Sequence, residues 1–368
     1  MIWLYYNIKR KQKEMIGDLF SEEPKRRPEE LFGRAEMAED LAETVIHNKT
    51  TVVKGYRRVG KSSLVCSMSN ILAKKKKYIL LHAEVVARHS EEELEKSLSS
   101  NFEDTYHRLD LKPPKYIKKF NKLLSDKLMK IAEIESITGT IAPSPSVSVG
   151  QTRSKEQPQL KLWDLFDGVI KAASQIKKPI IIVLDEIQNI IEVTKYDQNF
   201  KIRDFQELLR YLHGYPDVHL VLTGSHSRLI PLVLGRKYEE PFHGRYIVER
   251  EVPPFNETEA KEYLLKGFQQ RNIKFEEKWA EDVVNALGGI VGVLANYGKS
   301  YEENLKKAEK PPKNLYFDVL KEVANNHEIA IKEDLKTFVR YNPEEGIEES
   351  LLFDVIKAVS TYKFENNL

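Results

Sequence analysis

The sequence predicts an α/β fold. A parallel β-sheet flanked by helices is followed by a helical bundle and a short helical C-terminal segment. Three observations carry that expectation. Residues 52–68, VVKGYRRVGKSSLVCSM, pass from an apolar segment through two glycines into a stretch where Leu64, Met68 and Leu72 recur at helical spacing. Residues 180–184, IIIVL, form an apolar run too short for a helix and too apolar for a sheet edge, which marks a buried parallel strand. Beyond Pro253-Pro254, helical periodicity replaces strand patterning.

Taken in order, residues 1–30 read as an N-terminal extension and a charged, extended approach, SEEPKRRPEEL. Met15 resembles an ordinary start, which makes residues 1–14 an upstream extension. A helix follows Gly33-Arg34. Core strands are expected at 51–55, 78–84, 180–185 and 218–224, separated by helices. The core section, 31–252, carries a helical insertion near 90–160, with helices at 90–108 and 114–133. In that insertion, residues 139–159 break periodicity with Pro, Ser and Gly and suggest a loop with a short hairpin. A helix at 160–176 leads into the strand at 180. In the section 253–310, helices are expected near 256–271, 277–287 and 291–307, the first opened by an Asn256/Glu259 capping box. Residues 311–368 read as charged and helical.

The spacing Gly55, Gly60, Lys61, Ser62 is that of a phosphate-binding loop. Glycines let the backbone turn tightly and bring N–H groups against phosphates. Lys61 supplies a point charge for the β- and γ-phosphates, Ser62 a hydroxyl for Mg²⁺, and the following helix its positive N-terminal end. Gly55, Tyr56, Arg57, Arg58, Val59, Gly60, Lys61, Ser62 and Ser63 are therefore the candidate nucleotide cradle. The strand at 180 ends in Asp185-Glu186, at the sheet edge where α/β folds place ligands. Asp185 is the candidate Mg²⁺ holder and Glu186 the candidate general base that activates water. The strand VHLVLTGS ends in Thr223 and Ser225, and Thr223 is a candidate contact to the γ-phosphate or the attacking water.

Composition narrows the setting. The formal net charge is +2 across 368 residues, so bulk charge favours no nucleic-acid partner and only local patches can. Cys66 is the sole cysteine, which excludes an intrachain disulfide, fits a reducing, cytoplasmic environment and reads as a small core residue. No apolar run approaches the ~20 residues that span a bilayer. Two basic clusters stand out, Lys74–Lys77 and residues 112–130, the latter interleaved with Tyr116 and Phe120. Nucleic-acid contact and a solvated helix face are both open readings of these clusters.

In order and spacing, LFGRAEMAEDL, GYRRVGKSSLV, IVLDEIQNI, VLTGS, PFHGRY, VPPFNETEAKEYLLKGF and ALGGIVGVLANYG resemble the archaeal ATPase family of P-loop NTPases over residues 17–308. That family is related to the STAND signalling ATPases and, more distantly, to AAA+ replication initiators. The resemblance implies ATP as the nucleotide, with Mg²⁺. It implies that Phe32, Gly33 and Arg34 pack near the adenine. It also implies that Arg245 reaches toward the γ-phosphate, in its own subunit or across an interface, and that the bundle after 253 is a lid. Two departures matter. The family usually has a proline two residues after its Gly-Gly pair, where this chain has Val291, which weakens the expectation that this corner senses nucleotide. Residues 349–368 resemble only the first helix of a winged-helix domain, as in a truncated module. The expected activity is that of a slow Mg²⁺-dependent ATP-hydrolysing switch, with a protein partner or self-association. The alternatives are a DNA-binding loader-like ATPase and a regulatory scaffold without significant hydrolysis.

Overall fold

The structure, a computed structural model, describes residues 17–138, 161–224, 233–234, 240–307 and 314–327. The hairpin expected in 139–159, the start-site expectation for residues 1–14, the winged-helix start at 349–368 and Ser225 lie outside the described residues.

Helix α1 (Ala35–His47) leads to strand β1 (Thr50–Lys54), and the glycine-rich loop then opens helix α2 (Lys61–Lys74). Strand β2 (Ile79–Glu84) is followed by α3 (Glu91–Glu103), a single turn α4 (Thr105–Arg108) and α5 (Lys115–Thr138). Next come α6 (Leu162–Ile176), β3 (Ile180–Asp185), α7 (Ile190–Tyr196), α8 (Ile202–Gly214) and β4 (Val218–Gly224). Strand β5 (Val248–Glu251) closes the sheet, and α9 (Glu257–Gln270), α10 (Glu277–Leu287) and α11 (Val291–Lys307) form the bundle. Residues 315–327 are also helical.

Among the described residues all five strands are parallel, in the order β2-β3-β4-β1-β5. Strand β3 is buried along its whole length, as an apolar run covered by helices on both faces must be. A parallel sheet flanked by helices is the α/β arrangement that the sequence predicts. Strand β5 had no expectation in the sequence. Three of the four residues in its VERE sequence are charged, as suits an exposed edge strand held by β1 alone. The capping box of α9 forms as its spacing implied: Asn256 Oδ1 accepts from the Glu259 amide at 2.9 Å, and Glu259 accepts from the Asn256 amide at 2.9 Å.

Two apolar cores meet at Pro253-Pro254. The sheet core ends at Val252 and the bundle core begins at Phe255. The bundle core also takes in Leu19 and Phe20, far away in sequence. The approach segment is therefore a strap packed into the bundle. Phe20 sits in a socket formed by two glycines. A Cβ on Gly267 of α9 or on Gly298 of α11 would lie 2.3 Å from the Phe20 ring, well inside any real contact. The strap is pinned further by the Tyr263 hydroxyl, which donates to the Leu19 carbonyl, and by an Arg271–Asp18 ion pair at 2.5 Å.

A double-mutant cycle tests this socket. Phe20→Ala should destabilise the chain by about 3–5 kcal/mol in urea unfolding, the range for a buried Phe cavity. Gly267→Ala and Gly298→Ala should each destabilise the wild-type background and do so much less when Phe20→Ala is present. Additive losses would show that the glycines serve helix geometry and not the ring.

Candidate functional site

The loop between β1 and α2 is built by backbone conformations that few side chains tolerate. Gly55 has φ +153°, and a Cβ there would lie 2.7 Å from the Val252 carbonyl oxygen. Gly60 has φ +100° and caps α2 from the left-handed region. Arg58 also adopts a left-handed φ, 64°. Lys61, in the first turn of α2, is buried and folds back to donate to the carbonyls of Gly55 (3.1 Å) and Tyr56 (2.8 Å). Burial lowers its pKa, an effect opposed by the charges of Glu186 and Asp185.

A cavity of about 410 Å³ opens beside this loop. Its polar end carries Gly60, Lys61, Ser62, Ser63, Arg58 and Glu186. Its apolar end carries Phe32, Phe255 and Tyr263, which pack edge-on or tilted with centroids 5.5–5.7 Å apart. A charged end and an aromatic end in one cleft suit a molecule with a polyanionic tail and a flat ring system.

Asp185 lies at the end of β3, buried, and accepts hydrogen bonds from the Glu186 amide (3.1 Å) and the Thr223 hydroxyl. Thr223 Oγ1 also accepts from the Glu186 amide at 3.2 Å. Thr223 therefore faces Asp185 from the neighbouring strand and does not line the cavity. Glu186 takes a left-handed conformation (φ 57°), which turns the chain at the strand end, and its carboxylate accepts from the Gln188 amide group. On the other side, Glu84 pairs in register with Asp185, and burial together with the Asp185 and Glu186 charges raises its pKa. Three carboxyl groups thus crowd one sheet edge.

These groups fit Mg²⁺ and a phosphate chain. Ser62 and Asp185 offer hard oxygen ligands, and the crowded carboxylates favour a divalent cation. Among the described residues no cluster of three His, Cys, Asp or Glu side chains could hold a metal by itself. A cation here would take its remaining ligands from phosphate and water, the usual habit of Mg²⁺. Gly55 and Gly60 give the loop the positive-φ backbone that brings main-chain N–H groups toward a phosphate. Cys66, on α2, is partly buried, and burial pushes its thiol up to about 12.

Arg34 links the loop to the bundle. Its guanidinium donates to the Val59 carbonyl in the loop and to the Pro253 carbonyl at the junction of the two cores (2.6 Å), and lies 4.3 Å from the centroid of the Phe255 ring. Burial lowers its pKa to about 10, which leaves it charged at neutral pH. The corner at Val291 contacts the loop even without the family's proline. The Gly292 amide donates to the Arg58 carbonyl at 2.8 Å, and a Cβ on Gly292 would lie 2.8 Å from the Arg58 Cβ. Sequence reasoning gave no role to Gly292, Phe255 or Tyr263. The aromatic pair in PPFNETEAKEY was the available signal.

Arg245 is not brought to the cleft. It is exposed, three residues before β5, and its charge acts on His213, whose Nδ1 lies 2.8 Å from Thr50 Oγ1 at the start of β1. That is the opposite end of the parallel strands from the phosphate loop, roughly 13 Å away along β1 alone. The expectation that Arg245 serves its own subunit's γ-phosphate is corrected by this placement; only a reach across an interface remains. Gly33, with φ 63°, provides the turn into α1 and does not line the cavity. Tyr56, Arg57 and Val59 belong to the loop without lining it.

Comparison with known proteins follows from this geometry. The family model described as an ATPase domain predominantly from Archaea matches residues 33–297. No curated protein matches. The Walker-type ATPase paby2304 of Pyrococcus abyssi is similar at TM-score 0.59 and 22% identity, over 94% of this chain and 93% of that one. The Aeropyrum pernix ORC2 protein in ADPNP-ADP complexes is similar at TM-score 0.51 and 14% identity, over 95% and 84%. Its ADP form gives TM-score 0.52 and 15% identity, over 94% and 82%. At these identities the two proteins speak for the fold.

The role of Arg34 is open to direct test. Arg34→Ala should lower the melting temperature and weaken nucleotide binding at least tenfold in calorimetric titration. Arg34→Lys should rescue neither fully, because an ammonium cannot span two carbonyls as a guanidinium fork does. Full rescue by lysine would show that charge alone suffices.

Proposed function

The chain belongs to the family of ATPase domains found predominantly in Archaea, and from that premise we propose that it is a slow, Mg²⁺-dependent ATP-hydrolysing switch. The observation that carries the reading is the meeting of the Gly55–Ser62 loop, Glu186 and the Arg34-linked bundle around one cleft. Residues 31–252 form the hydrolytic core in this reading and residues 253–310 its lid.

The adenine enters the end lined by Phe32, Phe255 and Tyr263, and the phosphates lie along the loop toward the N-terminus of α2. Lys61 leaves the Gly55 and Tyr56 carbonyls for the β- and γ-phosphate oxygens. That exchange is favourable because a desolvated ammonium gains a charged partner in place of two neutral ones. Ser62 and Asp185 would hold Mg²⁺, which would supply positive charge against the phosphate oxygens. Thr223 positions Asp185 from the adjacent strand. Glu186 takes a proton from the attacking water as its oxygen bonds to the γ-phosphorus and the bond to the β-γ bridging oxygen breaks. The hydrogen bond from Gln188 holds the Glu186 carboxylate in place. Contact of Gly292 with the Arg58 carbonyl gives the lid a direct reading of the loop's conformation, so closure follows occupancy. Arg245 acts, where it acts, in a neighbouring copy.

Steady-state hydrolysis settles the assignment. Lys61→Ala should abolish tight ATP binding. Glu186→Gln should keep binding and lose turnover by about 10²-fold or more, the scale of a general base. Chelation of Mg²⁺ should remove turnover in the wild type. Turnover unchanged in Glu186→Gln would overturn the base assignment, whereas tight binding with no wild-type turnover would make the chain a nucleotide-binding scaffold.

A further inference from the structure

The two basic clusters of the sequence converge in the structure. Residues 74–78 form the turn between α2 and β2, residues 177–179 the turn into β3, and residues 112–122 the start of α5. They are stitched together. The Tyr116 hydroxyl donates to the Tyr78 carbonyl at 3.0 Å, the Lys178 ammonium donates to the Lys76 carbonyl at 2.9 Å, and the same ammonium lies 4.6 Å from the centroid of the Tyr116 ring. These three segments hold eleven lysines and no aspartate or glutamate, in a chain whose net charge is +2. The remainder of the chain is therefore net negative, and positive charge is concentrated at one place.

The place is the N-terminal edge of the parallel sheet, remote from the nucleotide cleft at the C-terminal edge. Helix α5 turns Ile117, Phe120 and Leu124 into the core and leaves Lys115, Lys118, Lys119 and Lys122 exposed along its outer side. Among the described residues, only Lys75 of the eleven lysines has a carboxylate partner, Glu43 at 2.6 Å. Like charges crowded in this way repel one another, and the cost is relieved when a polyanion displaces their counterions.

We propose that this edge is a docking surface for the phosphate backbone of a nucleic-acid duplex. A duplex is favoured over a single strand by the aromatic residues. Single strands are held by stacking bases on exposed rings. Phe120 is fully buried and Tyr116 is occupied by Lys178 and Tyr78, so neither offers a stacking face. What remains is a row of ammonium groups with no base-reading partners, which contacts phosphates without regard to sequence. The surface is independent of the hydrolytic reading above, since none of its residues lines the cleft.

The test is fluorescence anisotropy of the full chain, without nucleotide, with a short labelled duplex of mixed sequence across a salt series. Contacts from five lysines predict a slope of log affinity against log salt near −4.5, or a loss on the order of 10²–10³-fold between about 50 and 200 mM salt. The combined variant Lys77→Gln, Lys115→Gln, Lys118→Gln, Lys119→Gln, Lys122→Gln, all exposed positions, should flatten that slope and lose most of the low-salt affinity while keeping its circular dichroism spectrum and ATP binding. Lys299→Gln with Lys306→Gln, on the bundle, should leave affinity unchanged. The proposal is overturned if the wild type does not bind the duplex at low salt, if the edge variant binds like wild type, or if the bundle variant loses as much. Tighter binding to a single strand, or to phosphatidylserine vesicles, overturns it as well.

Discussion

The site depends on one buried guanidinium. Arg34 is charged at neutral pH and shielded from water, so its hydrogen-bonding capacity has to be met inside the protein. It is met by two main-chain carbonyls, Val59 in the phosphate loop and Pro253 at the junction of the two cores, and by the face of Phe255. Neither carbonyl can move away without leaving a buried charge short of a partner, a penalty larger than the worth of an ordinary hydrogen bond. The loop and the junction between the two cores are thereby tied to the same side chain. The Gly60 backbone follows from this, because a Cβ there would press on the Arg34 guanidinium at 3.2 Å.

The bundle is held by two further attachments of different kinds. One is polar and local, from the Gly292 amide to the Arg58 carbonyl, at the point where α11 meets the loop. The other is apolar and long-range, the Phe20 ring between Gly267 and Gly298. The strap that carries Phe20 also reaches α2. The Lys25 amide donates to Ser63 Oγ at 3.1 Å, and Ser67 Oγ donates to the Lys25 carbonyl at 3.4 Å. Motion of the bundle therefore pulls on α2 as well as on the loop.

The fold was legible where burial dictates residue type. The bundle helices at 277–287 and 291–307 and strand 180–185 fall where their periodicity placed them, because apolar faces leave a pattern in one dimension. Strand β5 left no such pattern, since its side chains face solvent and backbone pairing to β1 alone holds it. The site was legible in the loop, where Gly55 and Gly60 satisfy backbone conformations that other residues strain to adopt. It was not legible where function depends on which end of the sheet a loop occupies. Arg245 and the lysine clusters could be assigned an edge only once strand direction was known. Thr223 had the right strand end for a phosphate contact, but the order β3-β4-β1 sets it beside Asp185, which takes its hydroxyl. Val291 shows the converse case: a departure from the family's proline leaves the contact in place, because the neighbouring backbone amide makes it.

Helix α2 gives these separate pieces a common axis. Its first turn bears Lys61 and Ser62 at the cleft, and its last residue, Lys74, opens the lysine edge. Fourteen residues of helix separate the two surfaces, about 21 Å at the α-helical rise. A helix of that length packed through Leu64, Val65, Met68 and Leu72 moves as a body or not at all. Exchange of the Lys61 side chain from loop carbonyls to phosphate asks for no displacement of α2. Closure of the bundle does, through Phe20, the strap and Ser63. Packed side chains, hydrogen bonds and rigid elements are the means by which distant sites are coupled. Here a contiguous set of contacts runs from bundle to strap to α2, whose last residue opens the lysine edge.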